Sequence, residues 1–467
     1  MRTSGPRYWG SKEGNKRPLQ TGIVFFPAFD WAISPTHPER EERLLYTRDQ
    51  LFEEGIMDMP QIREYQPRLA ELKDIARVHF CVPSIEAQVT EAHLIAAGGA
   101  LVIADALMQG EVRNGFALVR PPGHHSMRVT HGNRGFCNIN NEPIMIEYLR
   151  KKYGIKRIAI VDTDVHHGDG TQDIYWHDPD VLFISFHQDG RTLYPGSGFT
   201  DEIGGPLALG TTLNVPLPPG TTDTGINFVL EELVLPVLDK FQPELVVNSA
   251  GQDNHYTDPL ANMRFSARGY AVLNEKLAPD IAVLEGGYSV ETALPYVNLG
   301  ILMAMAGIDY SNLYEPDYKE EKFKESSDRM RVLERIVREL TTVFDNREAL
   351  VQAARKKHEQ FARRFRRIFY DTDYIHEEQQ ENLRMCPDCP GYWTIDSQAL
   401  HQVGERYQVY CISVPVQGCP RCHRDAIELY DKMVSLPDRR FDFIYLQDRV
   451  EDVYRQFDVT RKQERVL

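Results

Sequence analysis

"VDTDVHHGDGTQ", residues 161–172, places three aspartates and two histidines in twelve positions directly after an apolar run. That run, Ile158-Ala159-Ile160-Val161, is continuous rather than alternating, the pattern of a strand buried on both faces of a parallel sheet. Residues two apart on a strand share a face, so Asp162, Asp164 and His166 are expected to project together where the chain leaves the sheet. Two carboxylates and an imidazole so placed can chelate a cation.

Four other runs have the same form: GFALVR (115–120), DVLFISFH (180–187), ELVVNSAG (244–251) and DIAVLEGGY (280–288). Between them lie helical patterns such as EAHLIAAGGALVIADALMQG and NFVLEELVLPVLDKF. Strand and helix in alternation predict an α/β fold over residues 20–315, a mostly parallel central sheet with helices on both faces. Polar and glycine-rich residues follow each of the five strands, and open α/β sheets bind ligands at that edge. Five separate segments are therefore expected to serve one crevice.

The 467 residues predict two or three domains, and 42% hydrophobic with 26% charged residues permits an ordinary core. A formal charge of −15 argues against a general nucleic-acid binder, which presents a basic face to phosphates. No run approaches the roughly 18 consecutive apolar residues of a membrane span, so no membrane contact is expected. Residues 1–19 are basic and polar without a secretory hydrophobic core and read as a flexible arm. Four of seven cysteines fall in CxxC pairs, which points to metal in a reducing, cytoplasmic setting.

Residues 316–375 read as a charged helical segment. Phe361, Phe365 and Ile368 recur at helical spacing among Arg363, Arg364, Arg366 and Arg367, as in a packing helix with a solvated basic face or a contact for an acidic partner. Residues 431–467 read as a polar tail.

Two segments complete the chemistry of the opening stretch. RPPGHHS (120–126) sets His124 and His125 after a strand, and NSAGQD (248–253) sets Asp253 after another. Asp164, His166 and Asp253 would form a two-carboxylate, one-imidazole site with open positions, suited to catalytic zinc or ferrous iron. Such a metal lowers the pKa of bound water from about 15.7 toward about 7. His124 and His125 are then general acid and base groups, with Asp162 and Asp169 to orient them, and Tyr288 of EGGY (285–288) can donate to an oxyanion. The set suits amide hydrolysis.

HPEREERL, RPPGHHS, RGFCNINN, VDTDVHHGDGTQ, SFHQDGRTLYPGSG, NSAGQD and EGGY follow one another over roughly residues 20–310. This series resembles the zinc-dependent histone deacetylase and acetylpolyamine amidohydrolase superfamily, of arginase-deacetylase fold, in a bacterial-type member. The resemblance implies that Asp164, His166 and Asp253 hold the catalytic zinc. It implies that His124 partners Asp162 and His125 partners Asp169, with His125 as proton shuttle, and that Tyr288 polarises the scissile carbonyl. Gly135, Phe136 and Tyr194 match the acyl-lysine tunnel and Leu260 its rim. A monovalent cation, potassium, is implied near Asp162, Asp164, His166, Ser185 and Phe186. Tyr194 departs from the phenylalanine of many relatives, and the 76–94 stretch is too short for the rim loop of histone-directed enzymes, which puts peptide substrates in doubt.

CPDC (386–389) and CPRC (419–422) offer Cys386, Cys389, Cys419 and Cys422 to a tetrahedral structural zinc, in a zinc-ribbon-like module over residues 376–430. The expected activity is deacylation of an acyl-lysine or acylpolyamine-like small molecule. The alternative is a catalytically silent acyl-binding or regulatory scaffold working through the module and the arginine-rich segment, with a homo-oligomer or a protein partner docking there.

Overall fold

The computed structural model describes residues 20–401, 404–436 and 438–467; the arm expected over residues 1–19 lies outside them. Eight strands form the first sheet: β1 Gln20–Phe26, β2 Ile62–Tyr65, β3 Val112–Val119, β4 Ile158–Asp162, β5 Val181–Gln188, β6 Thr212–Leu217, β7 Leu245–Ala250 and β8 Ile281–Leu284. Their order is β2-β1-β3-β8-β7-β4-β5-β6, and every pair is parallel. The five expected strands are there, each displaced at its ends by a few residues. Of the other three, β1 carries the strand-like run IVFF, whereas the edge strands β2 (IREY) and β6 (TLNVPL) were not anticipated because their mixed runs lack a continuous apolar stretch.

Successive residues alternate between two cores. Phe116, Leu118, Val161 and Ile184 belong to one, which also holds Leu233, Leu273, Leu302 and Leu340 from helices on that face. Ala117, Val119, Ile160 and Phe183 belong to the other, together with Leu101 and Ile146. Burial on both faces explains the continuous apolar runs. Helix Glu91–Met108 is long and apolar enough by mean hydropathy to cross a membrane, but Glu91, His93 and Asp105 interrupt its apolar run and 67% of it is buried inside the protein.

Past residue 316 the expectation fails in part. Helices cover Ser327–Asp345 and Arg347–Lys357, but the arginine-rich stretch is a strand, β9 Phe361–Tyr370. It opens a second, seven-stranded sheet continued by β10 Ile375–Arg384, β11 Trp393–Leu400, β12 Arg406–Val414, β13 Phe443–Asp448, β14 Val453–Asp458 and β15 Gln463–Val466, in sequence order. Neighbours are antiparallel except β12 and β13, which helix Pro420–Ser435 joins in parallel. Between the CxxC pairs lies an antiparallel hairpin, β11–β12. The polar tail expected over 431–467 instead contains the end of helix Pro420–Ser435 and three strands, and the module has its own apolar core, including Ile412, Ile444 and Leu446.

β9 alternates: Ala362, Ile368 and Tyr370 turn inward while Phe361, Phe365 and Phe369 face outward. A Phe every fourth residue satisfies a period of two as well as one of 3.6, which is why the helical reading fitted. Arg364 and Arg366 are not a solvated face. Arg364 lies 4.0 Å over the Trp176 ring and Arg366 pairs with Asp173, both in the first unit.

Candidate active site

β3, β8, β7 and β4 are consecutive in the first sheet, and the chain segments leaving their C-terminal ends carry the expected residues. β3 leads to His124 and His125, β8 to Tyr288, β7 to Asp253 and β4 to Asp162, Asp164, His166 and Asp169. Topology thus does what no sequence spacing can.

Asp164, His166 and Asp253 come together, with one donor atom from each within 4.8 Å of the others. β4 ends at Asp162, so Asp162, Asp164 and His166 do not share a strand face as expected. Asp162 turns back to accept from the Asp164 amide at 3.1 Å, and Asp253 arrives in its place. Backbone amides fix the carboxylates: Gly286 N donates to Asp164 at 2.7 Å and Val165 N to Asp253 at 2.9 Å. His166 Nδ1 stands 3.2 Å from Asp164 and 3.1 Å from Asp253. One ring nitrogen carries at most one proton and cannot serve both carboxylates, whereas a divalent cation between the three would satisfy all of them, so the donor set fits zinc. A Cβ on Gly251 would lie 2.1 Å from Asp164, so only glycine lets β7 and the Asp164 turn approach this closely.

The two histidines are oriented as the resemblance implies: His124 Nδ1 is 3.1 Å from Asp162 and His125 Nδ1 is 2.8 Å from Asp169. Their rings are 4.1 Å apart. Burial opposes charge on His124, but Asp164 and Asp162 overcome it and raise its pKa to about 10. Burial and the neighbouring His124 charge depress His125 to about 3, against the pull of Asp169. One imidazolium beside one neutral imidazole is the protonation state in which the pair can both take and give a proton. A cation on Asp164 would weaken the hold on His124.

Tyr288 is 8% exposed, its amide donating to Asp258 at 2.8 Å and its ring 4.9 Å beneath the Arg43 guanidinium. Asp258 also takes the Leu260 amide at 2.9 Å, so the expected rim residue and Tyr288 share one anchor. Phe136 lies edge-on to Tyr288 at 5.5 Å, and Tyr194 lies edge-on to His125 at 5.2 Å, flanking the site as two aromatic walls. Gly135 has φ +53°, and a Cβ there would lie 2.4 Å from His125. Ser185 sits opposite Asp162 in register between β4 and β5, followed by Phe186.

Several supporting residues stand in the quoted motifs without having been assigned a task. Glu285 of EGGY accepts from the Gly123 and His124 amides at 2.7 and 3.0 Å, tying β8 to the paired-histidine turn. Arg43 of HPEREERL donates to the Gly287 carbonyl at 2.7 Å, and Arg134 of RGFC pairs with Asp169 at 2.7 Å. Each motif signalled its neighbourhood but not the contact.

In the second unit the Cys386, Cys389, Cys419 and Cys422 sulfurs lie within 4.8 Å of one another and form no disulfide. The Gly391 amide points at the Cys389 sulfur, 3.3 Å away, as thiolate ligands require. This set also fits zinc. Cys411 is a buried sheet residue, and His423 bonds Asp448 at 2.7 Å.

A family model described as the histone deacetylase domain matches residues 83–300. A protein of Archaeoglobus fulgidus named "Probable deacetylase" is 46% identical over 327 residues, 64% of this chain and 90% of that protein. A polyamine deacetylase of Mus musculus is 40% identical over 209 residues, 42% of this chain and 31% of its own length. The crystal structure of the HDA15 HD domain superposes with a TM-score of 0.61 at 26% identity, covering 72% of this chain and 98% of that domain. The chain therefore belongs to the histone deacetylase family, whose members are zinc-dependent, and is an enzyme acting on amides.

Proposed function

We propose that the chain removes an acyl group, acetyl foremost, from an amine at the end of an alkyl stem, using Asp164, His166 and Asp253 to hold zinc. Zinc so held supplies Lewis acidity and makes water acidic enough to attack near neutral pH. Neutral His125, steered by Asp169, takes the proton from the attacking water and returns it to the leaving nitrogen. His124, charged against Asp162, stabilises negative charge as it develops. The Tyr288 phenol donates to the carbonyl oxygen as it becomes an oxyanion. Phe136 and Tyr194 enclose the alkyl stem, which favours the neutral acylated amine because a free ammonium is costly to strip of water.

The observation that carries this reading is the convergence of the metal-binding trio, both histidine–aspartate pairs and Tyr288 on four neighbouring strand ends. The mouse relative's name and the charge of −15 favour cationic amines such as acylpolyamines over protein lysine. Potassium is assigned near Asp162, Asp164, His166, Ser185 and Phe186, a reading supported by the register that sets Ser185 beside Asp162 on the neighbouring strand. A second, structural zinc belongs to the four cysteines.

The test is turnover of acetylated polyamines, acetyl-lysine peptides and longer acyl-lysines by the zinc-loaded chain and its Tyr288→Phe variant. A fall in kcat on the order of 10²–10³ with unchanged zinc content is expected. Equal turnover by both proteins would remove Tyr288 from the chemistry, and silence on every substrate would remove the deacylase reading.

A further inference from the structure

We propose that Asp371, contributed by the C-terminal sheet, is a positioning residue of the substrate tunnel that clamps its two aromatic walls together. The proposal rests on the deacylase reading for what the tunnel admits, and on geometry alone for the clamp. Asp371 lies in the β9–β10 turn. Its Oδ1 accepts the Gly135 N–H at 2.9 Å and the Tyr194 O–H at 2.8 Å. One oxygen thus holds the backbone that presents Phe136 and the phenol of the opposite wall.

Both walls need holding. Gly135 and Phe136 have φ of +53° and +71°, and the second is a conformation a phenylalanine keeps only when its surroundings impose it. The hairpin grips the two preceding residues as well: Asp373 in the turn accepts the Asn133 N–H at 2.6 Å, and Arg134 Nε donates to the carbonyl of Phe369 at the end of β9 at 3.1 Å. Arg134 reaches from there to Asp169 at 2.8 Å and passes 5.5 Å over the Tyr194 ring. The hairpin is therefore joined to Phe136, to Tyr194 and to the carboxylate that orients His125.

This also accounts for the tyrosine. An apolar wall needs only a ring, and a hydroxyl there must find a partner. Among the described residues Tyr194 gives its proton to Asp371 and to no other. The departure from phenylalanine noted in the sequence is thus half of a contact whose other half lies 177 residues away.

The experiment compares the zinc-loaded full chain with Asp371→Ala, Asp371→Asn, Tyr194→Phe and the Asp371→Ala/Tyr194→Phe double variant. Two readouts are taken: amide hydrogen exchange of segments 130–138 and 190–198, and kcat and KM on an acetylated amine. Loss of a charge-assisted bond predicts, for Asp371→Ala, exchange in both segments and KM each raised about 10-fold while kcat moves less. Asp371→Asn, which keeps an acceptor oxygen, should restore most of both. The double variant should bind substrate no worse than Asp371→Ala, since the two residues share one bond.

Unchanged exchange in both segments would overturn the proposal, as would additive losses in the double variant. So would faster exchange spread across β9–β13, which would make Asp371 an anchor between the two sheets rather than a clamp on the tunnel. If the wild-type chain hydrolyses no amide, the deacylase reading fails while the exchange data still decide the clamp.

Discussion

Asp164 and Asp253 are acceptor-only groups held by backbone amides, so exchanging one for an amide removes a ligand without moving the chain. Asp253→Asn should lose most catalytic-site zinc, read by elemental analysis after dialysis, while keeping the far-ultraviolet spectrum of the wild type; full occupancy would exclude Asp253 as a ligand. A different consequence attaches to Glu142, a buried carboxyl near Asp162 and Glu285. Burial is the main cause lifting it from 4.5 to about 7. A carboxyl whose pKa is raised by folding contributes stability that is complete below its unfolded pKa and lost as pH climbs through the folded one. The window is therefore about pH 4.5 to 7. Glu142→Gln removes that loss, so the variant should melt above wild type at pH 8, by on the order of 1–3 kcal/mol, and level with it at pH 4.5. An equal difference at both pH values would sink this account.

At the scale of elements, the arginine-rich strand and the cysteine knuckles show opposite degrees of legibility. Four cysteines in two CxxC pairs name their chemistry in any fold, because two-residue spacing brings both sulfurs of a turn to one point. β9 does not name its own state, since its pattern suits helix and strand alike and only pairing with β10 decides. The knuckles make a further prediction. Wild-type protein should carry two zinc ions per chain and Cys386→Ser/Cys419→Ser only one, with the second sheet losing exchange protection first. Binding at such sites in small zinc modules is worth roughly 10–16 kcal/mol, and here Ile412, Ile444 and Leu446 share the task, so partial rather than complete unfolding is expected. Two ions in the double variant would refute the site.

For the molecule as a whole, the two sheets are joined by buried polar contacts, each of which would leave an unpaired buried group if one partner were removed. Arg128, 0% exposed, meets Glu381 at 3.3 Å and lies 4.8 Å over Trp393, while Tyr445 donates to the Cys81 carbonyl at 2.9 Å. Removing one partner of a buried pair typically costs about 3–5 kcal/mol. A chain ending at Lys357 should therefore melt well below the full chain and lose most turnover. Wild-type turnover from the shortened chain would show that the second sheet plays no part in the active unit.

The sequence by itself determined the parallel sheet, the chemistry at its strand ends and the four-sulfur set, because continuous apolar runs, residue types that bind metal and two-residue spacings are local properties. It determined the pairing of His124 with Asp162 and of His125 with Asp169 through resemblance rather than spacing. Tertiary structure alone decided that β3, β8, β7 and β4 stand side by side, that Asp258, Glu285 and Arg43 support the site, and that Asp371 reaches Gly135 and Tyr194. Those contacts join residues separated by tens to hundreds of positions, and no local period records them. Of the strands in residues 443–466, Phe443–Asp448 carries a legible apolar run, FIYL, whereas the polar Gln463–Val466 becomes a strand only because a neighbouring edge supplies its hydrogen bonds.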